Sequence, residues 1–349
     1  MGYWYTTREA VKAALDSKLT ARDDTQVDEA IETASRSAER LTNRAHFYPW
    51  TGTRYFDWPQ DGLGRAWELE LEEFGLITLT SITAGGTALT VADLILEPRN
   101  AGPPYVTIAA DVDTGATFGA GTGGTQKRVA VTGLWGYADT SSPAGALAEA
   151  LDTSETGVDV TDSSRVGVGT LLRCGDERMN VTGRDLLDSG QNTSAALDAD
   201  DTDDAVGLTD GTQFHVGEEL WIDTEAMLLT AISGNTGTVR RAWNGTRLAA
   251  HLTAADIYAP RRLTVERAAA GTTAAAHDTA TALTRWVPPG GVWSLAKAEA
   301  IAQIENEQAG YARVTGEGEG AHETGGRQVE SLRKQVRNRY GRSRGPVAI

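Results

Sequence analysis

Within residues 25–42, apolar side chains fall at Val27, Ile31, Ala34, Ala38 and Leu41, with charged residues between them. Alternating steps of four and three keep these five on one face, which predicts an amphipathic helix with a buried stripe. Just ahead, Thr6 and Glu9 have the T-x-x-E spacing of a capping box and predict a shorter helix carrying Val11, Ala14 and Leu15. From Phe47 the period changes. Residues 47–59 are aromatic and turn-rich, whereas Trp67-Glu68-Leu69-Glu70-Leu71 and residues 76–82 alternate as half-buried strands. Gly85-Gly86 marks a turn, and residues 94–98, 106–109 and 129–135 complete a small sheet. Helical spacing returns only at Val292, after the start signal Pro288-Pro289-Gly290-Gly291, with Trp293, Ala296, Ala300, Ile304 and Tyr311 near one face.

Between these regions the pattern repeats itself. Val158-x-Val160-Thr161-Asp162 recurs as Val206-x-Leu208-Thr209-Asp210, and at the same offset Leu172, Glu177 and Met179 match Leu220, Glu225 and Met227. A second similarity has a shorter offset: Thr238-Val239-x-Arg241-Ala242 and His251 match Thr264-Val265-x-Arg267-Ala268 and His277. Two offsets are what one β-unit interrupted by a second copy of itself would leave. The expectation is that residues 158–182 pack with 264–283 around a nested copy at about 206–258. The fold class is accordingly α+β: a small helical-bundle core with a β-sheet subdomain (1–145), a large β-rich inserted repeat domain (146–285), a C-terminal helix completing the core (286–326) and a basic tail (327–349).

Composition narrows the function. The chain has 349 residues, net charge −16 and one cysteine. One cysteine excludes an internal disulfide framework, and the acidic balance argues against a protein that grips nucleic acid over most of its surface. No apolar stretch reaches the length of a membrane helix, and the N-terminus lacks a signal-peptide pattern, so a soluble, intracellularly made protein is expected. No catalytic constellation, metal site or cofactor motif emerges. Cys174 aligns with Ile222 and is expected to be a small buried hydrophobe, and His251 and His277 share a repeat position and hence a structural role. The glycine-rich run 119–124 lacks the Gly-Lys-Ser/Thr ending of a phosphate loop and is read as a hairpin tip. In the acidic run 198–204, an EF-hand would need Gly and Glu where Asp203 and Thr209 stand. It is read as a solvated linker, with weak calcium binding the alternative.

The tail carries the candidate site. Arg327, Arg333, Lys334, Arg337, Arg339, Arg342 and Arg344 oppose the single Glu330, and Val329, Leu332, Val336 and Tyr340 form an apolar stripe at helical spacing. So short a helix is marginal alone. It is expected to order on a partner, either an acidic protein groove or a nucleic-acid backbone, and its removal is expected to leave a folded subunit.

Several segments together resemble a known family. Tyr5-Thr6-Thr7 before a helix, the helix end at residues 30–43, Thr53-Arg54-Tyr55-Phe56-Asp57-Trp58-Pro59, Leu96-Glu97-Pro98, Val131-Thr132-Gly133-Leu134-Trp135-Gly136-Tyr137 and Trp286-Val287-Pro288-Pro289 look like the head-to-tail connector (adaptor, or head-completion) proteins of long-tailed bacteriophages. The resemblance covers about residues 3–140 and 286–345. It implies a ring, usually of twelve subunits, beneath the portal protein at the virion neck. Such a ring prolongs the DNA channel without binding DNA specifically, presents a surface to the next head-completion or tail protein, and needs no enzyme activity. The basic tail would then contact the portal. A competing reading is a surface-binding or adhesion module whose repeats bind glycan or capsid, with Trp221 and Trp243 stacking on sugar rings.

Overall fold

The computed structural model describes residues 2–15, 24–58, 67–119, 125–308, 314–315, 322–323 and 326–342. Among these residues the chain is α+β, with four α-helices and antiparallel sheets. Helix α1 (Arg8–Ala14) is capped by Thr7, whose hydroxyl accepts from the Ala10 N–H at 3.2 Å. The N-cap is thus Thr7 instead of the expected Thr6, and with Ala10 in the third helical position no capping box forms. Glu9 is drawn elsewhere, accepting from the Val168 N–H (2.9 Å) and pairing with Arg184 (3.3 Å).

Helix α2 (Asp24–Thr42) buries Val27, Ala30, Ile31, Ala34 and Ala38, as the stripe requires. Helix α3 (Gly290–Gln308) buries Val292, Leu295, Ala296, Ala300 and Ile304. The two run antiparallel, since Gln26 near the start of α2 donates to Glu307 near the end of α3 (2.6 Å). Trp293, expected on the inner face, lies about 100° round the helix from Val292 and faces solvent, with the Lys297 ammonium 4.8 Å from its ring. Tyr311 lies outside the described residues. Helix α4 (Gly326–Tyr340) packs on α2 and α3, and an aromatic cluster of Tyr5, Phe47 and Trp286 seals the end of this core.

The stretch read as turn-rich holds a strand, Trp50–Phe56, paired residue for residue with Val129–Trp135. Every second residue (Trp50, Gly52, Arg54, Phe56) turns inward, which only the pairing makes evident. The expected small sheet is two sheets. One holds Trp50–Phe56, Val129–Trp135, Leu76–Ala84 and Thr87–Leu89, and the other Glu68–Glu70, Thr107–Ala110 and Leu94–Glu97. They share one core of Phe56, Leu71, Leu76, Ile108, Phe118 and Trp135. Of the glycine-rich run, residues 120–124 lie outside the described residues.

The repeat region enters and leaves this core at adjacent points. Trp286 Nε1 donates to Ala138 O (2.9 Å), Val287 N to Thr140 O (2.8 Å), and the strands Ser141–Ala146 and Ala282–Trp286 pair antiparallel. Both belong to a ten-stranded antiparallel sheet. The pairing expected of a nested repeat is present: Val158 opposes Leu263, Val181 opposes Val265, and Cys174 opposes Leu283. Two long strands, Glu177–Asn192 and Asp256–Glu266, each serve both copies. Asn180 to Asp185 pair with Arg262 to Glu266 in the outer copy, and Leu187 to Asn192 with Asp256 to Ala259 in the inner one. Each copy keeps its own core, Leu172, Met179 and Leu263 in one and Leu220, Met227 and Ile257 in the other.

Candidate functional site

The C-terminal helix is formed as expected, but its apolar stripe is covered by the chain itself. Val336 and Tyr340 are 1% and 5% exposed, and Val329 and Leu332 are half-buried. The Tyr340 ring meets Tyr137 at 5.3 Å and Phe47 at 6.1 Å, both edge to face. Gly291 makes room for it, since a Cβ there would stand 2.9 Å from the Tyr340 ring. The end of the helix is tied by its backbone: Arg44 Nε donates to Tyr340 O (2.7 Å), Asn43 Nδ2 to Arg342 O (3.0 Å), and Arg342 N to Thr42 O (2.9 Å). Val336 and Tyr340 are therefore not free for a partner. A stripe at helical spacing says that something covers it, and here the cover is α2, α3 and the aromatic cluster.

The cations divide into two groups. Arg342 is turned inward to Phe74 O (2.5 Å); burial pulls its pKa down, opposed by the charges of Glu70 and Glu73. Burial likewise brings Arg44 down to about 10, with the charge of Arg342 acting in the same direction. Arg333 Nε donates to Glu299 at 2.6 Å, and its guanidinium reaches Ser37 Oγ at 3.3 Å. Lys334, Arg337 and Arg339 are exposed, with Arg339 5.5 Å from the neighbouring Tyr340 ring. The Arg327 side chain and all of Arg344 lie outside the described residues. What remains of the predicted site is a charged ridge of Arg333, Lys334 and Arg337 on the outer face of α4.

Within the repeats, three ionisable positions match between the copies, Glu177 with Glu225, Arg267 with Arg241 and His277 with His251, and the fold joins each set. Arg267 Nε and Nη2 clasp the two Glu177 oxygens at 2.7 and 2.8 Å, and His277 Nε2 lies 2.9 Å from Glu177 Oε2. The Ala268 and Ala275 N–H groups donate to the same carboxylate at 3.1 Å. Arg241, His251, Ala242 and Ala249 surround Glu225 in the same way. Burial pushes each carboxyl up, but the bonds it accepts outweigh that and bring both to about 2. Both carboxylates are sealed, so these trios fix loops. Cys174 is buried opposite Leu283, where desolvation lifts its thiol to about 11.

The acidic run 198–204 belongs to one such loop. Arg241 Nη1 donates to the carbonyls of Asp198 (3.2 Å) and Asp203 (2.9 Å), while the Asp203 and Asp200 carboxylates accept from the N–H groups of Asp198 and Thr202. Among the described residues no group of three or more His, Cys, Asp or Glu side chains could hold a metal ion. Trp221 and Trp243 are half-buried. The first donates to Glu219 (2.6 Å), and the second has the Arg240 guanidinium 5.0 Å from its ring centre. Among the described residues no helix is long and apolar enough to cross a membrane. Comparison with protein-family models, curated proteins and solved structures found no match.

Proposed function

We propose that this chain is a head-to-tail adaptor, a structural subunit of a ring of twelve at the virion neck. The ring sits under the portal protein, extends the DNA channel and offers its far face to the next head-completion or tail protein. One observation supports this reading above the rest. Segments that carry the family resemblance are scattered over more than 280 residues, yet Tyr5, the α2 stripe, Phe47, Tyr137, Trp286 and α3 meet in one cluster. The inserted repeats leave that cluster and return to it at hydrogen-bonded neighbours. A shared core with an added module is the arrangement of a family member carrying an insertion.

Charge suits the role. A lumen lined by carboxylates repels phosphates, so DNA slides through without being held, whereas a basic lining would act as a brake. The ridge of Arg333, Lys334 and Arg337 is then committed to protein contacts. The test is electron microscopy of the purified protein mixed with portal rings from the same virus. The expected image is an added ring coaxial with the portal. Portal that stays bare at every protein concentration would refute the assignment.

A further inference from the structure

A cleft of about 630 Å³ opens between the N-terminal segment, α2, α3 and the insertion. Tyr3, Trp4 and Val181 supply apolar wall, and the exposed carboxylates of Glu29 and Glu266 stand at its rim. The cleft's other acids are engaged within the chain: Asp28 with Arg8 (2.8 Å), and Glu32 with Trp4 Nε1 (2.8 Å) and Arg36 (3.3 Å). Glu29 and Glu266 have no ion-pair partner among the described residues. Aromatic walls below a negative rim suit long cationic side chains, whose alkyl stems lie on the rings while their heads reach the carboxylates.

The same chain displays such side chains. Lys334 and Arg337, three residues apart on the outer face of α4, are exposed and also lack an ion-pair partner among the described residues. Among the described residues none of α4 lines the cleft of its own chain. Cleft and ridge are different surfaces of the chain, so a contact between them joins two copies head-to-tail, the kind that closes a ring when the rotation allows.

We propose that this cleft receives the Lys334–Arg337 ridge of a second copy of the chain. The inference deepens the adaptor reading and rests on it for ring closure. The test introduces Glu29→Cys and Lys334→Cys together; the native Cys174 is buried and does not compete. On oxidation the double variant is expected to give a ladder of disulfide-linked multimers, while either single variant stops at dimers. The ladder should fade as salt is raised to about 1 M, where charges are screened beyond about 3 Å. It should be abolished by Glu266→Lys with Arg337 intact and return when Arg337→Glu is added. A double variant that stays monomeric with and without portal overturns the contact, as does capture of portal, instead of a second copy, at Glu29→Cys. Monomers that still dock on portal would sink this contact and leave the adaptor reading standing. A charge-dependent ladder from a protein that ignores portal would do the reverse.

Discussion

Glu177 and Glu225 each do a job that no neighbouring residue could do alone. Ala268 and Ala242 sit at φ +54° and +49°, a left-handed conformation that costs an alanine roughly 1–2 kcal/mol. Their N–H groups point at these carboxylates, which also hold the arginine whose other nitrogens fasten an acidic loop. Glu225→Gln leaves the Arg241 charge buried without its counter-charge, so a loss of about 3–5 kcal/mol at pH 7 is expected. The sign of the pH effect follows from a folded pKa of about 2, below the unfolded carboxyl value of about 4.3. The carboxylate's contribution is complete above about pH 5 and disappears as pH falls toward 2. Urea denaturation across that range should show parent and variant converging in acid; a gap that ignores pH would show that charge is not what the site uses. Repeat offsets made these positions visible in the sequence. That the glutamate reaches the arginine could not be read there, because equivalence between copies says nothing about contact within one.

Helix α4 shows what a stripe of apolar residues does and does not reveal. Its period predicted a helix, and a helix is present. The same period reads equally as a docking face for a partner, yet Tyr340 closes the chain's own aromatic cluster. Tyr340→Ala is therefore expected to destabilise the isolated protein by about 3–5 kcal/mol, as loss of a large buried ring does. Thermal or urea unfolding of the purified chain measures it, and an unchanged midpoint would mean that α4 is dispensable to the fold. Deletion of residues 327–349 should likewise lower the unfolding midpoint, since Val336 and Tyr340 belong to the core, against the expectation from the sequence that it leaves the rest folded. Strand Trp50–Phe56 teaches the converse. Its aromatic and turn-forming residues masked an alternation that pairing with Val129–Trp135 brings out.

Across the whole molecule, the nested copies share strands but not cores, and this makes the inner one removable in principle. Asp185 and Arg262 face each other in the outer copy's last described register before the chain crosses into the inner one. Replacing residues 186–261 with Asn-Gly, the favoured two-residue hairpin turn, should leave the outer copy and the helical core folded. Retained cooperative unfolding and unchanged helical circular dichroism are the expected results; an insoluble or molten product would mean that the copies depend on each other. The linear chain carried the helix periods, the strand alternation and the doubled offsets, because each is set by spacing along the backbone. Which strand lies beside which, what covers the α4 stripe, and where unpaired charge is left at the surface were decided only on folding. Those are properties of residues far apart along the chain, brought together by burial of apolar surface that any compatible partner could have supplied.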